Sequence, residues 1–593
     1  MSADANPAPA SPENKLHKNE GIKRGSKQLR GNILQTLLDP NATEFSADDQ
    51  QLIKFHGIYQ EDDRDQRVAR MKKGEGPAII MMARTKCPGG HLTGEQYLEL
   101  DKFSDEFGNG TLRITSRQGI QFHGVLKTGL QELIRRINQI NITTLGACGD
   151  VERNVMAAPA PLATPAHKEI QRFAREFSTA LLPTTRGYME IWVDGKKVPI
   201  DPEIVPDPIY GETYLPRKFK TAIALPPSND VDVFSNDLGF IAHTDAKGNL
   251  EGYTVVVGGG LGMDHGKQET FPALALPLFY VKKEHALAAG IGVVKAQRDH
   301  GNRENRKLAR LKYVIQKHGV AWFRKQAEIH MPGIPTEDPK PFTFTTLSDP
   351  LGFHPQGDGK FFYGVRVENG RVKDHEKLKY RSGIRAIVEK FKPVIRLTAN
   401  HNIFFCNLKE SDKAEVERLL RENGIPFADT YTHARTFSMA CVALPTCHLA
   451  LSESERVFPS VMDGVDAVLR ELKLEKESIL FRMTGCPNGC VRPYNADFAF
   501  VGRGIGKYAM YVGGSHVGDR LGGLVHKSVN QADIPAKVRG YLEDFVKNRK
   551  GAETFSDYWG RTQKPGPAPH PSQFHVELAE RAKKAGGHAE VTG

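Results

Sequence analysis

The segment Leu112-Arg-Ile-Thr-Ser-Arg-Gln-Gly-Ile-Gln-Phe-His-Gly-Val125 has a counterpart 283 residues later, Ile395-Arg-Leu-Thr-Ala-Asn-His-Asn-Ile-Phe-Phe-Cys-Asn-Leu408. In both segments apolar positions alternate on either side of a polar stretch, which predicts a strand, a turn and a second strand. A second pair of similar segments follows in the same order, Gly252-Tyr-Thr-Val-Val-Val-Gly-Gly-Gly260 and Lys507-Tyr-Ala-Met-Tyr-Val-Gly-Gly-Ser515. Two repeats in the same order indicate a duplicated two-domain unit with pseudo-twofold symmetry.

The repeated strands alternate with segments of helical periodicity. Apolar residues recur at helical spacing in two clear cases, Leu130, Leu133, Ile134 and Ile137, and Val461, Val465, Val468, Leu469 and Leu472. The sequence therefore predicts an α+β fold assembled from mixed units with β-rich cores.

The two copies of the first repeat differ in polarity. The polar residues of the first copy and their counterparts in the second are Arg117, Gln121 and His123 against Asn400, Phe404 and Cys406. A site that is needed once in a duplicated protein would produce this asymmetry. We therefore expect one functional site, at the interface between the two divergent halves.

Length and composition describe an ordinary globular protein. At ~150 residues per domain, the 593 residues correspond to about four domain-sized units. Apolar residues make up 39% of the chain and charged residues 25%. No apolar run approaches the ~18 residues that cross a bilayer, and the N-terminus lacks the apolar region of a secretory signal. We expect a cytoplasmic protein that does not enter a membrane.

The net charge of +11 is spread along the chain. No run of consecutive basic residues is long enough to resemble a nucleic-acid-binding tail. The distribution favours bound anions or an acidic protein partner.

Four of the seven cysteines form two close pairs, Cys441-Val-Ala-Leu-Pro-Thr-Cys447 and Cys486-Pro-Asn-Gly-Cys490. Seven cysteines in a chain of this length are too few for a disulfide scaffold. The five residues inside the first pair are a wide gap for a zinc site, whereas the looser loops around an iron–sulfur cluster accommodate it. The spacing favours a cluster and leaves a zinc site, a pair of disulfides and inert buried thiols as alternatives.

These cysteine segments, with the second extended to Thr484-Gly-Cys-Pro-Asn-Gly-Cys490, resemble the siroheme and [4Fe-4S] signature of the sulfite and nitrite reductase family. The resemblance runs from Phe55-His-Gly-Ile-Tyr-Gln60 to Gly513-Gly514 and is strongest to the assimilatory sulfite reductase hemoprotein subunits. It implies that all four cysteines ligate the cluster and that Cys490 also bridges it to the siroheme iron.

The resemblance also implies a domain plan of duplicated ferredoxin-like half-domains and two siroheme/iron–sulfur α/β domains. The expected order is an N-terminal arm (1–65, extended over its first thirty residues), a first ferredoxin-like half-domain (66–155), a first siroheme/iron–sulfur-type domain with the anion-site lysines (156–335), a second half-domain (336–430), a second siroheme/iron–sulfur domain with the cluster cysteines (431–562) and a flexible tail (563–593).

Reduction of an oxyanion such as sulfite needs cations that bind the anion and supply protons as its oxygens leave as water. By resemblance, the anion-binding residues are Arg84, Arg153, Lys218 and Lys220. The residues expected to hold the macrocycle are Arg113, Arg117, Gln121 and His123, which would alternate along one strand pair, with Arg217 and Asn488 as further candidates. Taken alone, each charged residue here resembles an ordinary solvated surface group. Since Lys218 and Lys220 stand two residues apart, a strand would place both ammonium groups on one face.

The predicted function is the six-electron reduction of sulfite to sulfide on a siroheme coupled to a [4Fe-4S] cluster, in assimilatory sulfur metabolism. A siroheme nitrite reductase is the alternative within the family, but Lys220 favours sulfite because a dianion gains more from an additional cation than a monoanion does. A basic nucleic-acid-binding protein is the alternative from another class. The resemblance implies an electron-donor protein, either an NADPH-dependent flavoprotein or ferredoxin. No G-x-G-x-x-G motif in a strand-to-helix context indicates that this chain binds NADPH itself.

Overall fold

The computed structural model describes residues 16–187, 191–193, 196–198, 205–265, 267 and 269–562. The predicted C-terminal tail (563–593) lies outside the described residues. In the described part of the chain, no helix is both long and apolar enough to cross a membrane.

The strands fall into two series of similar order, one in each half of the chain. In chain order they are β1 (Ile58–Asp62), β2 (Ile79–Arg84), β3 (His91–Leu92), β4 (Leu112–Ile114), β5 (Ile120–Val125), β6 (Met156–Ala157), β7 (Ile191–Val193), β8 (Lys196–Val198), β9 (Thr221–Ala224), β10 (Leu238–Thr244), β11 (Leu250–Val257), β12 (Leu276–Lys282), β13 (Gly352–Pro355), β14 (Phe361–Val365), β15 (Arg371–Val372), β16 (Asp374–His375), β17 (Leu378–Lys379), β18 (Val394–Leu397), β19 (Ile403–Leu408), β20 (Met439–Ala440), β21 (Phe481–Thr484), β22 (Phe498–Gly504), β23 (Lys507–Val512) and β24 (Gly523–Asn530).

Helices connect the strands in both halves. They are α1 (Lys18–Gly25), α2 (Ile33–Leu38), α3 (Asp49–Leu52), α4 (Arg64–Lys72), α5 (Gly94–Glu106), α6 (Lys127–Gln139), α7 (Pro165–Ala180), α8 (Ala286–His300), α9 (Leu311–His318), α10 (Val320–Ile329), α11 (Tyr380–Phe391), α12 (Lys413–Glu422), α13 (His433–Phe437), α14 (Phe458–Glu471), α15 (Ile534–Asn548) and α16 (Phe555–Thr562).

The N-terminal segment differs from the sequence-based prediction. Lys18–Gly25 is helical, where an extended arm was expected. Lys23 of this helix is buried, and its ammonium donates to the Leu215 carbonyl at 2.8 Å and to Glu20 at 2.6 Å. The buried residues of this helix are polar or charged. It therefore lacks the apolar periodicity from which a helix can be predicted.

Two five-stranded sheets have the same construction and exchange strands. Their orders are β1-β2-β5-β4-β15 and β13-β14-β19-β18-β3. The fifth strand of each comes from the other half of the chain: His91 pairs with Arg396, and Arg371 pairs with Arg113. Buried residues of both sheets and of α5, α6, α11 and α12 form one continuous apolar core. The two smaller domains therefore fold as one unit.

The other two large sheets also match each other strand by strand. Their orders are β12-β11-β10-β9-β6 and β24-β23-β22-β21-β20. In each, the three strands at the short-strand end are parallel and the remaining pairs are antiparallel. Each sheet has its own apolar core with its own helices. The repeated order and direction confirm the predicted duplication and the α+β class.

Candidate active site

A cavity lies where the two halves of the chain meet. Its wall combines the turn after β4, the segment before β9, loops of the first large domain and the loop that follows β21. The lining residues used below are Arg117, Lys218, Lys220, Asn236, Arg310, Asn488, Cys490 and Arg492. The cavity therefore lies between the two halves, where the polarity of the repeats leads us to expect a functional site.

Lys218 and Lys220 reach this cavity from irregular backbone. Strand β9 begins only at Thr221, so the prediction that both lysines lie within a strand is wrong. They flank Phe219, which forms an isolated parallel bridge with Glu152. Lys218 and Lys220 themselves both line the cavity. An extended backbone at one bridge is enough to give the alternation that the sequence suggested.

The two lysines are unusual as cations. Among the described residues, neither ammonium has a hydrogen-bond or ion-pair partner. Burial, followed by the charges of Arg217, Arg310 and Arg153, lowers the pKa of Lys218 to about 7. Burial and the neighbouring Lys218 lower the pKa of Lys220 well below its ordinary value. Lys218 can therefore bind an anion as an ammonium group and release its proton near neutral pH.

Arg117 lies in the turn between β4 and β5 rather than along the strand pair. Its guanidinium donates to the Asn236 side chain at 2.8 Å and to the carbonyls of Asn154 (2.5 Å) and Thr221 (3.0 Å). Its buried Nε has no hydrogen-bond partner among the described residues. Burial lowers the pKa of Arg117 to about 10, which leaves it charged.

Arg84 and Arg153 form a neighbouring cluster with Tyr59 and Cys148, and neither lines the cavity itself. Arg84 ends β2, donates from Nη1 to the Cys148 thiol at 3.2 Å and lies 5.9 Å from the Tyr59 ring centre. With its amide oxygen turned toward Arg84, Gln121 accepts from Nε at 2.9 Å and from Nη2 at 2.5 Å. Arg153 is buried and donates from Nε to a backbone carbonyl four residues before it at 2.9 Å. Gln121 therefore fixes the guanidinium of Arg84, one of the residues expected to bind the anion.

Arg113 and His123 belong to a buried network behind the cysteine loop. Arg113 pairs with Glu455 and donates to the Ala440 carbonyl at 2.8 Å. Arg371, on the exchanged strand β15, also pairs with Glu455 at 2.6 Å and donates to His123 Nδ1 at 3.1 Å. Burial and the charge of Arg371 hold the pKa of His123 well below its usual range. Both residues already have protein partners in this arrangement.

Of the two further macrocycle candidates, Asn488 lines the cavity and Arg217 does not. Arg217 is half-buried, and burial together with the charge of Arg306 lowers its pKa to about 10. Asn488 lines the cavity and directs its amide toward the Cys486 thiol at 3.6 Å. Asn488 therefore connects the cysteine loop to the cavity wall.

The four cysteines of the two pairs lie on neighbouring loops. Burial raises the pKa of Cys441 to about 12, with further contributions from Cys490 and Cys486, and burial raises that of Cys486 to about 11. The Cys441 thiol accepts a hydrogen bond from the backbone N–H of Gly485 at 3.3 Å. Cys490 is exposed and lines the cavity, so this thiol lies on the same wall as the cavity lysines.

Free thiols with such pKa values ionise only when a metal binds them. None of the seven cysteines forms a disulfide, which removes that alternative. Within the part of the chain that the structure describes, no group of three His, Cys, Asp or Glu side chains is close enough to hold a single metal ion.

The residues present fit an anionic, iron-containing group. Four thiolates are the usual donor set of a [4Fe-4S] cluster, and the four thiols here lie on neighbouring loops. Nearby are the ammonium groups of Lys218 and Lys220 and the Nε of Arg117, none of which has a partner among the described residues. They suit the carboxylates of a siroheme or an oxyanion.

Several residues of the cavity were not found from the sequence. Arg310 lines the wall and forms a two-point ion pair with Asp237, at 2.6 and 3.1 Å. Arg492 lines it as well and pairs with the buried Asp232 at 2.7 Å. Arg492 follows the last cysteine by two residues, and that proximity was the available signal. Nothing in the local pattern distinguished Arg310 from a surface arginine.

Comparisons with known proteins show the family to which the chain belongs. Residues 175–334 match the nitrite and sulphite reductase 4Fe-4S domain, and residues 73–140 and 354–423 match the nitrite/sulfite reductase ferredoxin-like half domain. The sulfite reductase [NADPH] hemoprotein beta-component of Staphylococcus saprophyticus is 43% identical over 92% of this chain and 95% of its own length. The chain belongs to the nitrite and sulfite reductase family.

Other members of the family support the same assignment. The sulfite reductase [NADPH] hemoprotein beta-component of Methylobacterium nodulans is 44% identical over 92% of this chain and 90% of its own. The structure of the Mycobacterium tuberculosis NirA protein has a TM-score of 0.72 and 22% identity, covering 92% of this chain and 96% of that one. The match to NirA shows that the fold is shared across nearly the whole chain.

The family match clarifies how the two large domains differ. Residues 175–334, which match the 4Fe-4S domain, contain the two cavity lysines, whereas the four cysteines lie between residues 441 and 490. The cysteine-bearing domain has the same strand order as the matched one. The first large domain thus carries the two cavity lysines, and the second carries the four cysteines and the cavity arginine Arg492.

Proposed function

We propose that this chain reduces sulfite to sulfide by six electrons, on a siroheme coupled to a [4Fe-4S] cluster, in assimilatory sulfur metabolism. The observation that supports this most strongly is the meeting of Lys218, Lys220 and Cys490 on one cavity wall. A cationic pocket that touches a cluster ligand brings together anion binding, proton supply and electron delivery.

The chain's own residues divide the remaining work. Bound siroheme and cluster supply the electrons to the substrate sulfur. Cys441, Cys447, Cys486 and Cys490 would hold the cluster, and Cys490 would also hold the siroheme iron. Lys218 and Lys220 bind the oxyanion and donate protons as oxygen leaves as water. Arg84 and Arg153 add positive potential from the Tyr59–Cys148 side, and Gln121 orients Arg84.

We assign Arg117, Arg217 and Asn488 to the macrocycle. Arg117 is charged, lines the cavity and has a buried Nε with no hydrogen-bond partner among the described residues, which suits a carboxylate ligand. Arg113 and His123 act differently in this proposal. Their protein partners, Glu455 and Arg371, make them supports of the cysteine loop.

Electrons come from a separate protein, which we propose is an NADPH-dependent flavoprotein in the cytoplasm. The name of the relatives, sulfite reductase [NADPH] hemoprotein beta-component, supports this donor over ferredoxin. Turnover of the purified protein with each donor in turn separates the two.

The decisive experiment uses protein produced in a host that makes siroheme. We expect siroheme absorption, iron and acid-labile sulfide, and a higher kcat/KM for sulfite than for nitrite with one artificial electron donor. The substitution Cys490→Ser should abolish sulfite reduction and alter the siroheme spectrum, because it removes the shared sulfur.

The matched control is Cys406→Ser, which changes a buried cysteine outside the cavity. It should retain both cofactors and activity. A zinc-only wild-type protein, or full activity and an unchanged spectrum in Cys490→Ser, would refute the proposal. A wild-type preference for nitrite would overturn the substrate.

A further inference from the structure

The two cavity lysines depend on their backbone for their position. Since neither ammonium has a partner among the described residues, no side-chain contact fixes them. The backbone around them is held instead by the segment before β6: Phe219 N–H donates to the Val151 carbonyl at 3.1 Å, and Arg153 N–H donates to the Phe219 carbonyl at 3.0 Å. Whatever holds this segment sets the geometry of the cations.

Thr221, the residue after Lys220, forms hydrogen bonds with both Glu152 and Arg117. Its backbone N–H donates to Glu152 Oε1 at 3.1 Å, and its hydroxyl donates to Oε2 at 2.8 Å. Its carbonyl accepts from Arg117 at 3.0 Å. One carboxylate therefore holds the residue that connects a cavity lysine to a cavity arginine.

Burial of the Glu152 carboxyl group at this position is energetically unfavourable. It is fully buried, and burial raises its pKa to about 7 despite the opposing charges of Arg117 and Lys86. It does not line the cavity and pairs through its backbone with Phe219. A buried carboxyl that takes up both donors of one threonine has a specific structural task.

We propose that Glu152 is a positioning residue that fixes the Lys218–Thr221 segment and Arg117 on the wall of the anion cavity. Its kinetic consequence rests on the proposed function, whereas its effect on the backbone does not. Without Glu152, both Thr221 donors lose their acceptors and the segment relaxes. Displacement of a substrate-positioning group by about 1 Å can cost up to ~100-fold in rate.

The test compares three substitutions in the cofactor-loaded protein. Glu152→Ala removes both acceptors, Glu152→Gln keeps one amide oxygen, and Thr221→Val removes the hydroxyl but keeps the backbone N–H. Hydrogen–deuterium exchange of the peptide that contains Lys218–Thr221 reports on position, and kcat/KM for sulfite reports on its consequence. Asp101→Asn is the control, because Asp101 is also buried and pairs with two arginines, Arg381 and Arg385, away from the cavity.

In Glu152→Ala we expect exchange in this peptide to be about tenfold faster, the effect of one lost hydrogen bond. We expect kcat/KM to fall by about 10- to 100-fold. Glu152→Gln and Thr221→Val should show smaller changes of the same sign, and Glu152→Ala/Thr221→Val should be no worse than Glu152→Ala alone. Asp101→Asn should lower thermal stability without changing either readout.

Unchanged exchange of this peptide in Glu152→Gln and Thr221→Val would overturn the proposal, even if Glu152→Ala failed to fold. Faster exchange in a protein whose wild type does not reduce sulfite would uphold the positioning role and reject the proposed function. Faster exchange with wild-type kcat/KM would show that the cations need no such support, and would also overturn the proposal.

Discussion

At the scale of single residues, the cavity lysines are defined by what surrounds them. An exposed lysine keeps its proton to a pKa of ~10 and is a fixed charge at neutral pH. Burial and three nearby arginines lower the pKa of Lys218 to about 7. A group with this pKa binds an anion when protonated and gives up its proton at little cost, as a reaction that converts oxide to water requires.

This environment predicts a pH dependence that belongs to Lys218. As pH rises through about 7 the ammonium loses its proton, so kcat/KM for sulfite should fall on the alkaline side. Lys218→Arg retains its charge through neutral pH, since the neighbouring guanidinium groups of Arg117 and Arg217 have pKa values of about 10. The alkaline decline near pH 7 should therefore vanish in this variant. Its kcat should also fall by about 10- to 100-fold, since it does not release a proton.

The measurement is the ratio of the two pH profiles in the same buffers, which cancels the titration of sulfite itself. Lys218→Met is the control for loss of charge and should be slow at every pH. Parallel profiles for wild type and Lys218→Arg would mean that another group sets the alkaline limb.

At the scale of elements, the duplication produces a contact between equivalent positions. Short 3-10 helices, Val233–Ser235 and Pro493–Asn495, follow residues with left-handed backbone, Asp232 (φ 52°) and Arg492 (φ 57°). These two residues occupy the same place in the two large domains. Their side chains form an ion pair at 2.7 Å, and Asp232 is completely buried. At this repeated position one copy has an aspartate and the other an arginine, so the two halves attract each other there.

We expect Asp232→Asn to destabilise the protein by about 3–5 kcal/mol, because it leaves two buried arginines uncompensated. Arg482 is the second, 3.1 Å from the same carboxylate. The control is Asp65→Asn, whose pair with Arg456 is half exposed and should contribute less than ~1 kcal/mol. Chemical denaturation gives both values, and similar losses for the two variants would contradict this account.

The elements also show what the sequence could and could not predict. The repeats located β4–β5 and β18–β19, and the apolar spacing located α6 and α14, because each is long enough to have a period. The exchanged strands His91–Leu92 and Arg371–Val372 have two residues each and therefore no period. The cysteines were singled out by their spacing and the lysines by the family resemblance. Arg310 and Glu152 are distinguished only by partners far away in the sequence, Asp237 and Thr221.

At the scale of the whole molecule, the exchanged strands bind the two halves into one body. Gly90 and Gly370 precede the exchanged strands β3 and β15, with φ values of 71° and 74°. A Cβ on Gly90 would lie 2.1 Å from the Leu397 carbonyl oxygen, and one on Gly370 would lie 2.3 Å from that of Ile114. Both crossings therefore require the backbones to approach more closely than any side chain allows.

Gly74 serves as the control for an alanine substitution at Gly90. This residue also has φ 71°, but a Cβ there would meet nothing within 4 Å. Gly74→Ala should therefore cost about 1–2 kcal/mol, the left-handed backbone penalty alone. Gly90→Ala carries the same penalty plus a steric conflict worth about 1–3 kcal/mol.

The difference between the two variants isolates the strand crossing, because the backbone penalty cancels. It is measured from the free energies of unfolding in chemical denaturation, with proteolysis of the native state as a second readout. Since both smaller domains share one core, Gly90→Ala should also expose sites in the second half, including β18, to protease. Equal destabilisation by Gly74→Ala and Gly90→Ala would show that the crossing tolerates a side chain and that the exchanged strand does not tie the halves together.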